Sequence, residues 1–342
     1  MKVIRNKKDY FDQSLDEIKI LQYLKDSNRC EENNVYVLLD YFYYKEHLII
    51  VTELLSQNLY EFGKFIREND EPSFFTLKRL NFIARQILVA LDFVHEMGIL
   101  HTDLKPENIL IRYELLVHFL GNHFMSTVKK IDSFNCYVFL CSSYSRATVK
   151  LIDFGSSCYK TDKPSYYIQS RSYRAPEVVL GLPYDEKIDI WSLGCVIAEM
   201  FTGYVTFQND SLASMLSRIE SICGNFPRHM TKDGKYSKKL FLECGLLFEK
   251  EDEEKVSNHE KEGDDDNCDE TYFTVYQPKS TTLAERLGFD PDHTSKEQTL
   301  FIHFVKSLLT TDPELRPTAR EALEHPWIVM GRRYGLEELE YP

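Results

Sequence analysis

Apolar positions recur along the chain first at mixed and then at helical period. In "FDQSLDEIKILQYL" the residues Leu15, Ile18 and Leu21 form a helical stripe, with Ser14 and Asp16 near its start. Residues 2–5 before it read as the end of a strand. "NVYVLLDYFYY" and "HLIIVTEL" are short strand-like runs, and a turn at Lys45–Glu46 makes them a hairpin. From Leu77 the period is helical: "RLNFIARQILVALDFVHEMG" sets Ile83, Ile87, Leu91 and Val94 on one face, and Gly98 closes it. "KIDIWSLGCVIAEMFTG" is apolar nearly all round, the mark of a buried helix. "SLASMLSRIESICG", "TLFIHFVKSLLTT" and "TAREALEHPWI" fit further helices. Strands with one helix, followed mostly by helices, predict an α+β fold with a small sheet lobe beside a larger helical lobe.

Composition narrows this picture. With 342 residues and 43% hydrophobic content, one large two-lobed domain or two domains are open. No run of uncharged apolar residues is long enough to span a membrane, and "MKVIRNKKDYFD" lacks a signal-peptide core, so no membrane association is expected. The eight cysteines are scattered without metal-ligand spacing, which fits reduced thiols in a protein of the cytoplasm or nucleus. A net charge of -13 argues against general nucleic-acid binding. Residues 249–270 hold twelve acids against three lysines. This run is either a solvated, disordered loop or an acidic partner-binding segment.

Two short motifs carry chemistry. Phosphoryl transfer requires a group that orients the attacking hydroxyl, cations on the phosphates, and ligands for those cations. "HTDLKPEN" supplies Asp103 as hydroxyl acceptor, Lys105 to offset charge on the moving phosphoryl, and Asn108 as metal ligand. "LIDFGSS" supplies Asp153, a carboxylate suited to bridge magnesium to phosphates.

With "RAPE" at Arg174–Glu177 and "DIWSLG" at Asp189–Gly194, these motifs resemble the eukaryotic protein kinases over essentially the whole chain. "YYIQSRSYRAPEVVLGLPYDEKIDIWSLG" is similar to the activation segment of the dual-specificity tyrosine-regulated (DYRK) kinases of the CMGC group. The resemblance implies one two-lobed protein-kinase domain over 1–342, with an incomplete small β lobe at 2–55 and a large helical lobe at 56–342. It implies ATP and Mg2+, the metal sitting on Asn108 and Asp153, and protein substrates phosphorylated on serine or threonine. It also implies autophosphorylation of Tyr167, whose phosphate Arg171 and Arg174 are placed to receive. "IIVTELLSQN" resembles the hinge. Thr52 is then the gatekeeper, Glu53 and Leu55 offer backbone groups to adenine, and Leu110 lies beneath the ring; ordinary strand packing is the competing reading. Lys2 and Glu17 match the lysine–glutamate pair that holds the α- and β-phosphates. Glu177 and Arg316 match a buried structural pair, and Glu107 is either a substrate-arginine contact or a surface carboxylate.

The pattern departs from the family in three places. Thr102 stands where most kinases carry arginine, so Arg171 and Arg174 are left to hold a loop phosphate. LAMMER-type kinases share that threonine, but "YIQSRSYR" favours the DYRK pattern. If Lys2 is the strand lysine, the Gly-rich loop and two strands before it are missing from this sequence. Little ATP turnover is then expected from this polypeptide, and an inactive kinase-like scaffold is the rival reading. Finally, 44 residues separate Asn108 from Asp153 where a tight hairpin needs about 10–15. In the surplus stretch 113–141, 17 of 29 residues are hydrophobic, unlike a solvated loop. Three readings stand: a functional lid or docking insert, an added packed element, or a retained intron. The codons for Arg112–Tyr113 and for "FLCS" permit splice signals whose use preserves the frame.

Overall fold

The computed structural model describes residues 1–69, 73–112, 148–162, 167–208, 210–250, 273–277 and 281–337. The 113–141 insert and most of the acidic run, from 251 onward, lie outside the described residues.

A three-stranded antiparallel sheet of order β1-β3-β2 opens the fold, from β1 (Lys2–Val3), β2 (Leu38–Tyr44) and β3 (His47–Thr52). Lys45 and Glu46 both take positive φ, 44° and 63°, which gives the two-residue turn the twist a hairpin needs. Helix α1 (Lys8–Asp26) packs against β2 and β3, burying Ile18, Leu21 and Leu24. It begins well before Ser14. Its first turns are mostly polar and carry no apolar stripe, and the Ser14 hydroxyl donates to the Tyr10 carbonyl at 2.7 Å from inside the helix.

The larger lobe is helical. α2 (Leu59–Glu68) is capped by Asn58 and α3 (Leu77–Glu96) by Thr76. After the short α4 (Pro176–Leu180), α5 (Lys187–Thr202) buries every residue from Ile188 to Met200 and packs on α3. Gly203 ends it with φ 79°. α6 (Leu212–Cys223) follows, and helices at Lys296–Leu308, Ala319–Leu323 and Pro326–Glu337 complete the core. "TAREALEHPWI" forms two helices rather than one, because Pro326 has no N–H to continue the first and opens the second.

Two features differ from the sequence reading. α2 lies in a stretch where Gly63 interrupts the apolar positions, and no helix was expected there. Glu249 and Lys250 belong to a strand, Leu247–Lys250, paired with Phe273–Tyr276, so the acidic run does not begin as loop. Glu249 is engaged: it accepts hydrogen bonds from Ser211 Oγ at 2.7 Å and Tyr276 OH at 2.8 Å.

Candidate active site

After the short β4 (Ile99–Leu100), a two-stranded ladder organises the site. β5 (Ile109–Ile111) pairs antiparallel with β6 (Val149–Leu151) in the register Ile109↔Leu151, Leu110↔Lys150 and Ile111↔Val149. One further hydrogen bond extends the ladder at each end: Ile152 N donates to Asn108 O at 3.0 Å, and Arg112 N donates to Thr148 O at 2.8 Å. Asn108 and Asp153 therefore emerge together at one end. Residues 113–147 join the ladder at the other end, so the surplus length does not part the two candidate ligands.

The loop before β5 is held by a buried carboxylate. Asp189, at the start of α5, accepts hydrogen bonds from His101 N at 2.8 Å and Thr102 N at 2.9 Å. His95 Nε2 lies 2.9 Å from the same carboxylate and carries the proton there, since an ionised carboxylate only accepts. Burial would raise the Asp189 carboxyl, but His95 and the His101 contacts outweigh it and hold it below the usual range. This anchoring fixes Thr102 at φ 63°, where a β-branched residue is strained. The Thr102 hydroxyl donates to Ser156 O, and Ser157 Oγ donates to His101 O at 3.0 Å, so this loop and the Asp153 segment are stitched together. Phe154 wedges between the rings of Tyr36 and His101.

Asp103 projects from this loop into a tight polar cluster. Lys105 Nζ donates to its Oδ2 at 2.6 Å, Ser170 Oγ donates to its Oδ1 at 2.7 Å, and Lys105 also reaches Ser170 Oγ at 3.2 Å. Asn108 Nδ2 donates to the Asp103 carbonyl at 2.8 Å and to Oδ2 at 3.3 Å. These bonds turn the Asn108 amide oxygen away from Asp103.

Lys2 bridges to this region from the small lobe. Its Nζ donates to Glu17 at 2.8 and 3.0 Å and to Asp153 Oδ1 at 3.1 Å. Burial pushes the Glu17 carboxyl up despite Lys2, whereas the Lys2 charge holds Asp153 below the usual range although burial opposes it. Lys2 itself is raised: burial works against its charge, and the Glu17 and Asp153 carboxylates prevail. Asp153 sits at φ 64°, and its Oδ1 also accepts from Gly155 N at 3.4 Å. Its Oδ2 and the Asn108 amide oxygen stand outside these bonds. One carboxylate and one amide oxygen at one end of a ladder suit a hard octahedral cation shared with phosphates. Among the described residues no group of three or more His, Cys, Asp or Glu could hold a metal by itself.

The segment after β3 runs past Leu110. Glu53 N donates to Val37 O at 3.2 Å, and the Glu53 carboxylate accepts from Val37 N at 2.8 Å. Thr52 Oγ1 donates to Glu53 O at 3.3 Å, and Leu55 packs against the core. A cleft of about 420 Å³ opens between α1 and residues 154–157 and 167–170, lined among others by Glu17, Asp103, Tyr167 and Ser170.

Tyr167 is 89% exposed, with the Arg174 guanidinium 5.4 Å from its ring centre. Arg174 already donates to the carbonyls of Ile168 and Gln169, each at 2.8 Å, while Arg171 is exposed. Burial, reinforced by Arg171, lowers Arg174 below its ordinary value. Glu177 and Arg316 form a fully buried, two-pronged ion pair at 2.7 and 2.9 Å. Glu107 is not a plain surface carboxylate, because its Oε2 is buried with no hydrogen-bond partner among the described residues.

Ser170 and the anchoring role of Asp189 escaped the sequence reading. Each side chain acts on a partner distant in the chain, and neither spacing signals it.

The sequence matches the family model described as "Protein kinase domain" over residues 1–328. It is 34% identical over 332 residues to the probable serine/threonine-protein kinase dyrk2 of Dictyostelium discoideum, covering 96% of this chain and 30% of that protein. It is 32% identical over 340 residues to human dual specificity tyrosine-phosphorylation-regulated kinase 4, covering 97% and 52%. Against the rat kinase 3 of that name it is 32% identical over 335 residues, covering 96% and 49%. The chain thus spans between about a third and a half of these relatives' length.

Proposed function

Because the chain belongs to the protein kinase family and is of the DYRK type, we propose that it transfers the γ-phosphoryl group of ATP to protein serine and threonine hydroxyls and to its own Tyr167. The observation that carries this reading is the polar cluster on Asp103. Its carboxylate is held on both oxygens by Lys105 and Ser170, beside the ladder end that presents Asn108 and Asp153.

In this reading Asp103 accepts the hydrogen of the attacking hydroxyl, and Lys105 offsets negative charge on the phosphoryl in transit. Asn108 Oδ1 and the Asp153 carboxylate would hold magnesium, which when bound neutralises phosphate charge. Lys2, oriented by Glu17, meets the α- and β-phosphates. The Glu53–Leu55 backbone receives adenine over Leu110, and Thr52 lines the back. Glu107, whose Oε2 has no hydrogen-bond partner among the described residues, is assigned recognition of a basic residue near the target hydroxyl. Glu199 lies close by, its carboxyl pushed up by burial and further by the Glu107 charge. A phosphate on Tyr167 falls to Arg171 and Arg174, with Arg174 already facing the ring.

The test is phosphosite mapping by mass spectrometry after incubating the purified chain with magnesium and ATP. The expected result, matching the little turnover expected of this polypeptide, is a low level of phosphate on Tyr167 and on added serine/threonine peptides, all of it lost in Asp103→Asn. Folded wild-type protein that transfers none would instead support the inactive-scaffold reading.

A further inference from the structure

Apart from the Arg316 of the buried pair, Lys150 on β6 is the lysine or arginine most completely removed from solvent among the described residues, at 1% exposure. Its ammonium donates to both oxygens of Glu53, at 2.7 and 2.9 Å, and to Glu31. The other Glu31 oxygen meets Arg112, the residue that closes the β5–β6 ladder onto Thr148. Two carboxylates and two cations from four separate segments thus form one neutral cluster. Hydrogen bonds, that from Lys150 chief among them, hold the Glu31 carboxyl below the usual carboxylate range.

A buried ammonium is costly, and well-packed apolar side chains usually serve stability as well or better. What the cluster provides instead is a fixed position for Glu53. The Glu53 side chain is only 21% exposed and clamps Val37 N, while the loop from Glu31 to Val37 is stitched to β6 itself. Leu151 N donates to Asn34 O at 2.8 Å, and Tyr36 N donates to Leu151 O at 3.1 Å. That loop continues from α1, which carries Glu17.

We infer that Lys150 is a positioning residue for nucleotide binding: acting through Glu53, it presets the 53–55 segment, and Glu31 and Arg112 hold Lys150 in place. The inference rests on the proposed reading of that segment as the adenine-facing one. Without Lys150 the bond from Val37 N alone is left to hold the Glu53 carboxylate inward, and the carboxylate turns to solvent with its backbone. Nucleotide affinity then falls in proportion to the fraction of molecules still preset.

The experiment titrates ADP into the 342-residue chain and its variants by calorimetry, referring affinity to the folded fraction. Lys150→Met is expected to weaken binding roughly fivefold or more, the scale on which such networks couple separate elements. Lys150→Arg restores most of the affinity, and kcat at saturating ATP stays near wild type. A staple with a merely structural role lowers thermal stability without moving the affinity of the folded fraction. If Lys150→Met does not fold, Arg112→Ala decides, because Arg112 is 43% exposed and lies at the rim; a loss of about twofold is expected there. Wild-type protein that binds ADP together with variants that bind it equally well overturns this inference alone. Folded wild-type protein that binds no ADP overturns the functional reading and this inference with it.

Discussion

Replacing Asp189 by asparagine keeps the shape of a fully buried side chain but removes its capacity to accept on both oxygens. Oδ1 now accepts from Thr102 N, and Oδ2 accepts from His101 N and His95 Nε2. His95 can change tautomer, but the two backbone N–H groups cannot. Either way the new NH2 group turns, one amide faces a donor. An unsatisfied buried group costs about 1–3 kcal/mol, and each hydrogen bond to a charged acceptor contributes about 1.5–3 kcal/mol. A net destabilisation of about 3 kcal/mol lowers the melting temperature on the order of 5 °C. The larger effect is local. Thr102 in the left-handed region stores about 1–3 kcal/mol of strain, which relaxes once the anchor fails, and Asp103 is the next residue. A displacement of about 1 Å at such a group costs about 100-fold in kcat. Steady-state peptide phosphorylation with thermal unfolding measures both, and Leu216→Ala in α6 serves as a destabilised control whose folded fraction keeps its kcat. An Asp189→Asn protein that is folded and within about threefold of wild-type kcat refutes this reasoning.

The same residue sets an acid response. Its folded carboxyl lies below the ordinary value, so its contribution to stability is complete above the unfolded pKa of about 3.9 and is lost as pH falls through the folded value. Urea unfolding at neutral pH and below pH 4 should therefore show wild type losing more stability on acidification than Asp189→Asn. Arg316→Met leaves Glu177 charged in a dry interior and should cost about 3–5 kcal/mol in denaturant unfolding, with a paired Arg316→Met/Glu177→Leu change recovering much of it. Ser170→Ala frees one oxygen of Asp103 and lets Lys105 pull the carboxylate aside, so kcat should fall about tenfold or more with little change in the KM for ATP. Glu17→Gln weakens the hold on Lys2, and the KM for ATP should rise several-fold in an initial-rate assay.

What the sequence made legible follows from the range of the interactions. α5 declares itself because thirteen consecutive buried residues leave no polar face. The β2–β3 hairpin is visible because its strands and turn are contiguous. Asp103, Asn108 and Asp153 stand out through motif spacing alone, although a long segment intervenes. The start of α1 is hidden because its first turns face solvent. Ser170, Asp189 and Lys150 act on partners 67, 88 and 97 residues away, distances at which pattern carries no information. Glu53 shows both sides: its hinge-like context is readable, while the capture of its carboxylate by Lys150 is a property of the folded chain.

The most direct measurement is transfer of labelled γ-phosphate from ATP to a serine/threonine peptide with and without magnesium, by wild type and by Asp153→Asn of equal melting temperature. Transfer that requires magnesium and disappears in Asp153→Asn is the predicted result. Transfer that persists in that variant, or folded wild-type protein that transfers nothing, contradicts a phosphotransfer centre built on Asp103, Asn108 and Asp153.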